Sequence, residues 1–312
     1  MHAIAPVTGR QFAWFRVIFG LYLAIHFAQL IPWGAELFSR EGVLPRADVN
    51  PTYGILPNML ASLDSAQFVT VFLLVLLALS VLFCLGLCRR TAAVLLWYGW
   101  ACLFNRNVLI SNPSIPYVGL LLLLTALVPA TEPLRAFSDP TADDDFHVPG
   151  AVYWTAWGLM AIGYAFSGFV KLGSPSWIDG TAIWHVVQNP LARDSWVRDL
   201  VISMPPWVFR VMTWTALALE LFFLPLALWR RTRPLAWGAM VAMHLGIVTL
   251  LNFADLSAGM LMLHLFTFDS TWRRTIAQRW VCRSCVPAGS IHSAIGMDQV
   301  AANGRPGSAC LR

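Results

Sequence analysis

Among the 21 Lys and Arg residues of this 312-residue chain, Lys171 is the only lysine. A desolvated ammonium can lose its proton, whereas a guanidinium effectively cannot. A single lysine kept where arginine is otherwise used therefore points to proton transfer. The plainer reading is an anchor, with the amine lifted to the lipid headgroups from a helix end; an arginine would serve that purpose equally well. Arg16, His26, Arg106, Glu220, His244 and His264 also fall in or beside apolar stretches. Charges inside a bilayer cost about 2.5–3.5 kcal/mol each on insertion scales and face the bundle interior or water, so each is a candidate. At 1.5 Å per helical residue, Glu220 lies roughly 20 Å below the outer face and His244 about 15 Å from the cytoplasmic end of its helix. Both stand near mid-membrane and are expected to pair, as working groups or as a hydrogen bond tying two helices. Lys171 is expected about 10 Å above His244, with a substrate or water bridging them. Arg16 and His264 fall near cytoplasmic ends and are expected to snorkel. His26 and the run Asn105-Arg106-Asn107 lie toward the outer face; Arg106 suits an anionic group, or ends its helix in the headgroups. Asn252 and Asp255 form an outer turn.

The elements that must hold these residues follow from composition. The chain is 58% hydrophobic and only 12% charged, with mean hydropathy +0.64. Soluble proteins carry about 25% charged residues, so a soluble enzyme, a disordered chain and a small disulfide scaffold are excluded. The expected fold is all-α, a multi-pass helical membrane protein with about eight transmembrane helices. They are Phe12–Ile31, Ala66–Leu87, Ala92–Ile110, Ile115–Pro129, Ala151–Lys171, Trp207–Trp229, Leu235–Asn252 and Leu256–Phe268. Pro225 is expected to kink the sixth just below Glu220. Thirteen arginines fall on the side of the termini and five on the other. The basic bias makes both termini cytoplasmic and turns loops 32–65 and 172–206 outward. The Glu132–Pro149 loop, with Asp143-Asp144-Asp145, then lies inside. In loop 172–206, Trp177 to Val187 has roughly helical spacing, with Asp179 placed to cap it. This segment, with Trp177, Trp184 and His185, reads as one short interfacial helix over a cavity. A membrane domain over 1–270 and a disordered Arg-rich cytoplasmic tail over 271–312 complete the organisation.

Other chemistries lack their residues. No phosphate-cradling loop, H-E-x-x-H or G-x-S-x-G is present, nor a nucleic-acid-binding stripe. Cys282 and Cys285 form a C-x-x-C, but no second ligand pair follows at zinc spacing, so no metal is expected. The N-terminal apolar stretch is too long for a cleavable signal peptide and lacks its cleavage site.

Ser167-Gly168-Phe169-Val170-Lys171-Leu172, followed by Trp177-Ile178-Asp179-Gly180, resembles the active-site segment of vitamin K-dependent gamma-carboxylases. It is still more similar to their bacterial relatives, the HTTM (horizontally transferred transmembrane) proteins. Lys171 falls on that family's second, catalytic lysine and Met243-His244 on a functionally important histidine. Arg16-Val17-Ile18-Phe19-Gly20 and Glu220 match further features, so the resemblance spans Phe12 to Asp269. The resemblance implies an inner-membrane, lyase-type enzyme using a reduced isoprenoid quinone (vitamin K hydroquinone-like). Lys171 would be the base, with His244 and Glu220 also catalytic, and Trp177, Asp179, Arg106 and His185 binding substrate. Implied partners are membrane lipids and a secreted peptide or protein, with no nucleic acid. Val170 replaces the family's first lysine, an extra residue stands near Pro175, and Met243 replaces an aromatic. The chain is also expected to lack the large lumenal domain with which animal carboxylases hold their peptide. A relative of this length, a sporulation-delaying toxin maturation protein, gives the other implied role: a non-enzymatic module for maturation, export or anchoring of a secreted peptide.

Overall fold

A computed structural model describes residues 7–129, apart from 52 and 56, and 146–272. The helices all fall in a compact unit that ends at Thr271. The tail beyond Trp272, with Cys282 and Cys285, lies outside the described residues, as does the 132–145 part of the acidic loop.

The named elements of the described residues are all helices, and an isolated β-bridge joins Ala192 and Leu251. Each stretch read as a span contains a helix. Helix α1 (Gly9–Leu30) starts where the Thr8 hydroxyl accepts from the Gln11 N–H and runs on through a 3₁₀ turn into α2 (Gly34–Phe38). Helix α3 (Ala66–Leu85) is capped by Ser65 in the same way. Then follow α4 (Arg89–Arg106), α5 (Ile115–Leu127) and α6 (Gly150–Lys171). The return half holds α10 (Pro206–Leu221), α11 (Phe223–Leu228), α12 (Arg233–Leu250) and α13 (Ala254–Thr267). By length and composition, three segments can cross a membrane unaided: Gly9–Phe38, Ala66–Leu85 and Arg233–Leu250. The remaining stretches fall short for visible reasons. Helix α5 is apolar but only 13 residues long, and α4 carries Arg89, Arg90 and Arg106 at its ends. The sixth stretch is broken at Phe222 into α10 and α11. That break is the kink expected from Pro225, which cannot donate to the Leu221 carbonyl four residues back.

Loop 172–206 departs from the single expected helix. It forms α7 (Pro175–Ile178), α8 (Ala182–Gln188) and α9 (Trp196–Ile202). Gly180, at φ +83°, breaks the first two apart. Asp179 does not cap α8, whose N-cap position is Thr181 without a side-chain bond. Instead Asp179 accepts from the Thr181 N–H at 2.9 Å and its hydroxyl at 2.6 Å. A short carboxylate prefers this local turn, closing on the residue two ahead. Val187, Val201 and Phe209 join α8, α9 and α10 in a small apolar core.

Candidate functional site

Lys171 is the last residue of α6, yet its amine does not reach outward. A helical Cα–Cβ bond tilts toward the helix N-terminus, so long side chains lean back over the preceding turn. The Lys171 ammonium accordingly donates to the Ser167 hydroxyl, four residues earlier, at 3.0 Å. It also donates to the Glu220 carboxylate of α10, forming an ion pair. Its nitrogen stands 4.8 Å from the centroid of the Trp177 ring, a cation–π contact supplied by α7. The lysine side chain keeps 22% of its surface exposed, and Glu220 keeps 9%.

Backbone approach makes this pairing possible. A Cβ on Gly168 would lie 2.6 Å from the Leu221 nitrogen and 2.9 Å from its Cα. Only glycine lets α6 meet α10 this closely beside Glu220. Gly180 has the same role beneath the loop: a Cβ there would meet the Arg210 side chain at 2.9 Å, and its positive φ already favours glycine. The Trp214 indole then donates to the Ile178 carbonyl at 3.1 Å, and the Ile183 N–H donates to Thr213 at 3.2 Å. These bonds seat α7 and α8 on α10 and bring Trp177 to the lysine.

The pairing differs from the expected one. Glu220 meets Lys171 rather than His244, because counting rise along the axis ignores the backward lean of the lysine. His244 bonds instead to the Tyr164 hydroxyl of α6 through Nε2, at 2.7 Å, and to Ser257 of α13 through Nδ1, at 3.2 Å. The same Tyr164 oxygen meets Nε2 of His264 at 2.8 Å. A phenol has one hydrogen to donate, so between neutral rings it donates to one and accepts from the other. The two histidines therefore hold opposite tautomers. Tyr164, His244, Ser257 and His264 are all buried. Glu220 and Lys171 still lie close enough to act electrostatically on Tyr164 and His244.

His264 and Arg16 do not snorkel; both are buried to about 1% exposure. Helix α13 packs against α1, α5, α6 and α12, and this packing encloses His264. The Arg16 guanidinium packs over Gly86 at the end of α3. Arg106, fully buried, donates to the Leu44 carbonyl at 2.7 Å and the Pro45 carbonyl at 3.3 Å, with Asp64 at 3.9 Å. It fastens loop 32–65 to α4. Asp179 and His185 are exposed. The Thr181 hydroxyl and N–H hold the Asp179 carboxyl below its usual range. The structure thus brings Lys171, Glu220 and Trp177 together, places His244 in the adjoining chain, and leaves Arg106, Asp179 and His185 outside it.

Tyr164 and Ser257 complete the polar interior with His264, and, being uncharged, these two are not among the ionisable residues that mark the site in the sequence. Their spacing carries a signal. Tyr164 precedes Lys171 by seven residues, and Ser257 precedes His264 by seven; each pair shares one helix face. Among the described residues no group of three or more His, Cys, Asp or Glu side chains is set to hold a metal.

No curated protein and no solved structure matches this chain. The model of the HTTM domain matches residues 5–272, which includes every helix named above. With that match over most of its length, the chain belongs to the HTTM domain family.

Proposed function

We propose that this protein is a membrane-embedded, carboxylase-like enzyme that acts on a quinol at the outer face of the inner membrane, with Lys171 as its base. The observation that carries the reading is the sole lysine, folded back to Glu220 beneath Trp177 while part of its amine side chain stays open. In this reading the chain crosses the membrane eight times with both termini cytoplasmic, in accord with the basic bias. The residues fit a reduced isoprenoid quinone: Lys171 and Glu220 offer a donor and an acceptor side by side, and Trp177 an aromatic face. When bound, such a group would supply an acidic ring hydroxyl and reducing electrons. Lys171 would first pass its ammonium proton to Glu220 and then, as the free amine, receive the ring-hydroxyl proton, with Ser167 fixing its direction. Removal from bulk water strengthens each of these interactions.

One observation favours a second reading. Ser167 and Glu220 already engage the amine, as a tie between α6 and α10 would require. The protein would then be a non-enzymatic module that matures, exports or anchors a secreted peptide. Lys171→Arg separates the two, because arginine keeps the charge and cannot release a proton. Purified protein in lipid nanodiscs, given a reduced isoprenoid naphthoquinone and oxygen, should consume the quinol. The Arg variant should fold and be inert. No turnover by the wild type favours the module, whereas equal turnover by the Arg variant removes Lys171 as the base. Reporter fusions at Arg312 and within residues 173–205 should report inside and outside; a shared side overturns the topology.

A further inference from the structure

Three arginines stand where α11 turns into α12, and they divide into two kinds. Arg233 faces inward. Its Nε donates to the Ala227 carbonyl at 2.6 Å, and a terminal nitrogen donates to the Leu228 carbonyl at 3.3 Å. Its guanidinium lies 4.8 Å from the centroid of the Trp154 ring and 5.6 Å from that of Trp157, both on α6. The Thr232 hydroxyl donates to the Leu226 carbonyl at 2.8 Å and to the Trp229 carbonyl at 3.2 Å. The N–H groups of Thr232 and Arg233 also donate to the Trp229 carbonyl, at 3.2 and 3.0 Å. Thr232 and Arg233 thus satisfy the carbonyls at the end of α11 and hold the turn in one shape.

Arg230 and Arg231 are of the other kind. Both are exposed, and neither has a hydrogen bond or ion pair among the described residues. Asp269 attracts Arg233, the inward-facing group, and Arg230 repels it. Apolar surface flanks the two exposed arginines: Leu228 is 71% exposed, Trp229 65% and Leu235 76%. Open apolar surface concentrated at one turn marks a place where lipid or a partner belongs. Helix α12 is long and apolar enough to cross a membrane and begins at Arg233. The turn before it therefore lies at the headgroup layer, the level an indole prefers. A guanidinium presents paired planar donors that match phosphate oxygens. A basic excess that only orients the chain would need neither a fixed turn nor an indole and two leucines beside the charges.

We propose that the α11–α12 turn is a binding site for an anionic phospholipid. Arg230 and Arg231 take the phosphate and the charged headgroup, Trp229 lies at the glycerol level, and Leu228 and Leu235 meet the acyl chains. A soluble phosphate ester would leave that apolar rim in water, so a lipid is the source that fits. The site requires neither that Lys171 be a base nor that the turn face a particular side of the membrane.

The test uses the full chain in phosphatidylcholine nanodiscs containing rising fractions of phosphatidylglycerol with brominated chains, which quench nearby indoles. The protein has 15 tryptophans, so the signal of the turn is the difference between wild type and Trp229→Phe. Phosphatidylglycerol should be preferred over brominated phosphatidylcholine at Trp229 by about twentyfold, since each arginine near an anionic lipid contributes about fivefold. Arg230→Gln and Arg231→Gln should each remove about fivefold, and together nearly all of the preference. Arg40→Gln, in loop 32–65, should leave it unchanged. Equal quenching by the two lipids, a preference kept by the double variant, or competition by soluble glycerol 3-phosphate at the same concentration would each overturn the proposal. So would a preference that emerges only with Asp143→Asn, Asp144→Asn and Asp145→Asn combined, because the chain's own acidic run would then hold the arginines. If Trp229→Phe fails to fold, native mass spectrometry of the wild type decides, and retention of the two lipids in equal number overturns the site. Lys171→Arg should leave the preference intact, so failure of the base and failure of this site are distinguished.

Discussion

Lys171 and Tyr164 project from one face of α6, two turns apart, into opposite surroundings. The lysine meets a carboxylate and an indole with a fifth of its side chain still open, at 22% exposure. The tyrosine is sealed between two histidines, and the whole chain through Ser257 is buried. An open cluster can exchange protons and ligands with its surroundings. A sealed one fixes helix positions, because each of its groups must be satisfied from within. The difference comes from what crosses each turn of α6. At the upper turn Gly168 admits α10, whose helix then ends at Leu221. At the lower turn Phe223, just past the break, closes edge-on over Tyr164 at 4.9 Å.

The largest effect on stability should come from removing the lysine while leaving its partner. Lys171→Leu strands the Glu220 carboxylate and should cost about 2–4 kcal/mol, below the range for fully buried pairs because the lysine keeps contact with solvent. Unfolding in mixed micelles measures this; wild-type stability would mean the pair contributes nothing. Next, Gly168→Ala forces a Cβ to within 2.6 Å of the Leu221 nitrogen and should cost about 1–3 kcal/mol by pushing α6 from α10. Its signature is coupling: the penalty of Glu220→Gln should shrink in the Ala background, and an unchanged penalty would mean the helices do not separate.

Tyr164→Phe should cost about 1–2 kcal/mol, since it removes one hydroxyl and strands two buried ring nitrogens. It should be non-additive with His264→Gln. By contrast, Glu220→Gln and His244→Ala have separate partners and should add within about 0.5 kcal/mol; strong coupling between them would merge the two clusters into one. The smallest effect is expected at exposed His185, where alanine should change stability by no more than about 0.5 kcal/mol. A larger loss would bring α8 into the site.

Much of this arrangement is legible in the residues. Apolar runs locate the helices, Pro225 locates the break after Glu220, and the solitary lysine marks the site, because each depends on local chemistry. The partners of Glu220 and His264 are not legible in this way. Their depths follow from helix rise, but contact also depends on how neighbouring helices rotate and how far a side chain leans. Tyr164 and Ser257 are uncharged and carry no membrane penalty to draw attention, so only their heptad-like spacing from Lys171 and His264 marks them.

The sequence by itself determined an all-helical chain with membrane-spanning segments and a lysine distinct from every other cation in it. Those properties follow from hydropathy, backbone restriction and side-chain type, which neighbouring residues set along the chain. Only the tertiary structure decided that Lys171 meets Glu220, that Arg106 fastens a loop, and that Asp255 turns His26 inward. Each of those contacts joins residues far apart in the chain, and close packing of helices selects which polar groups can satisfy one another.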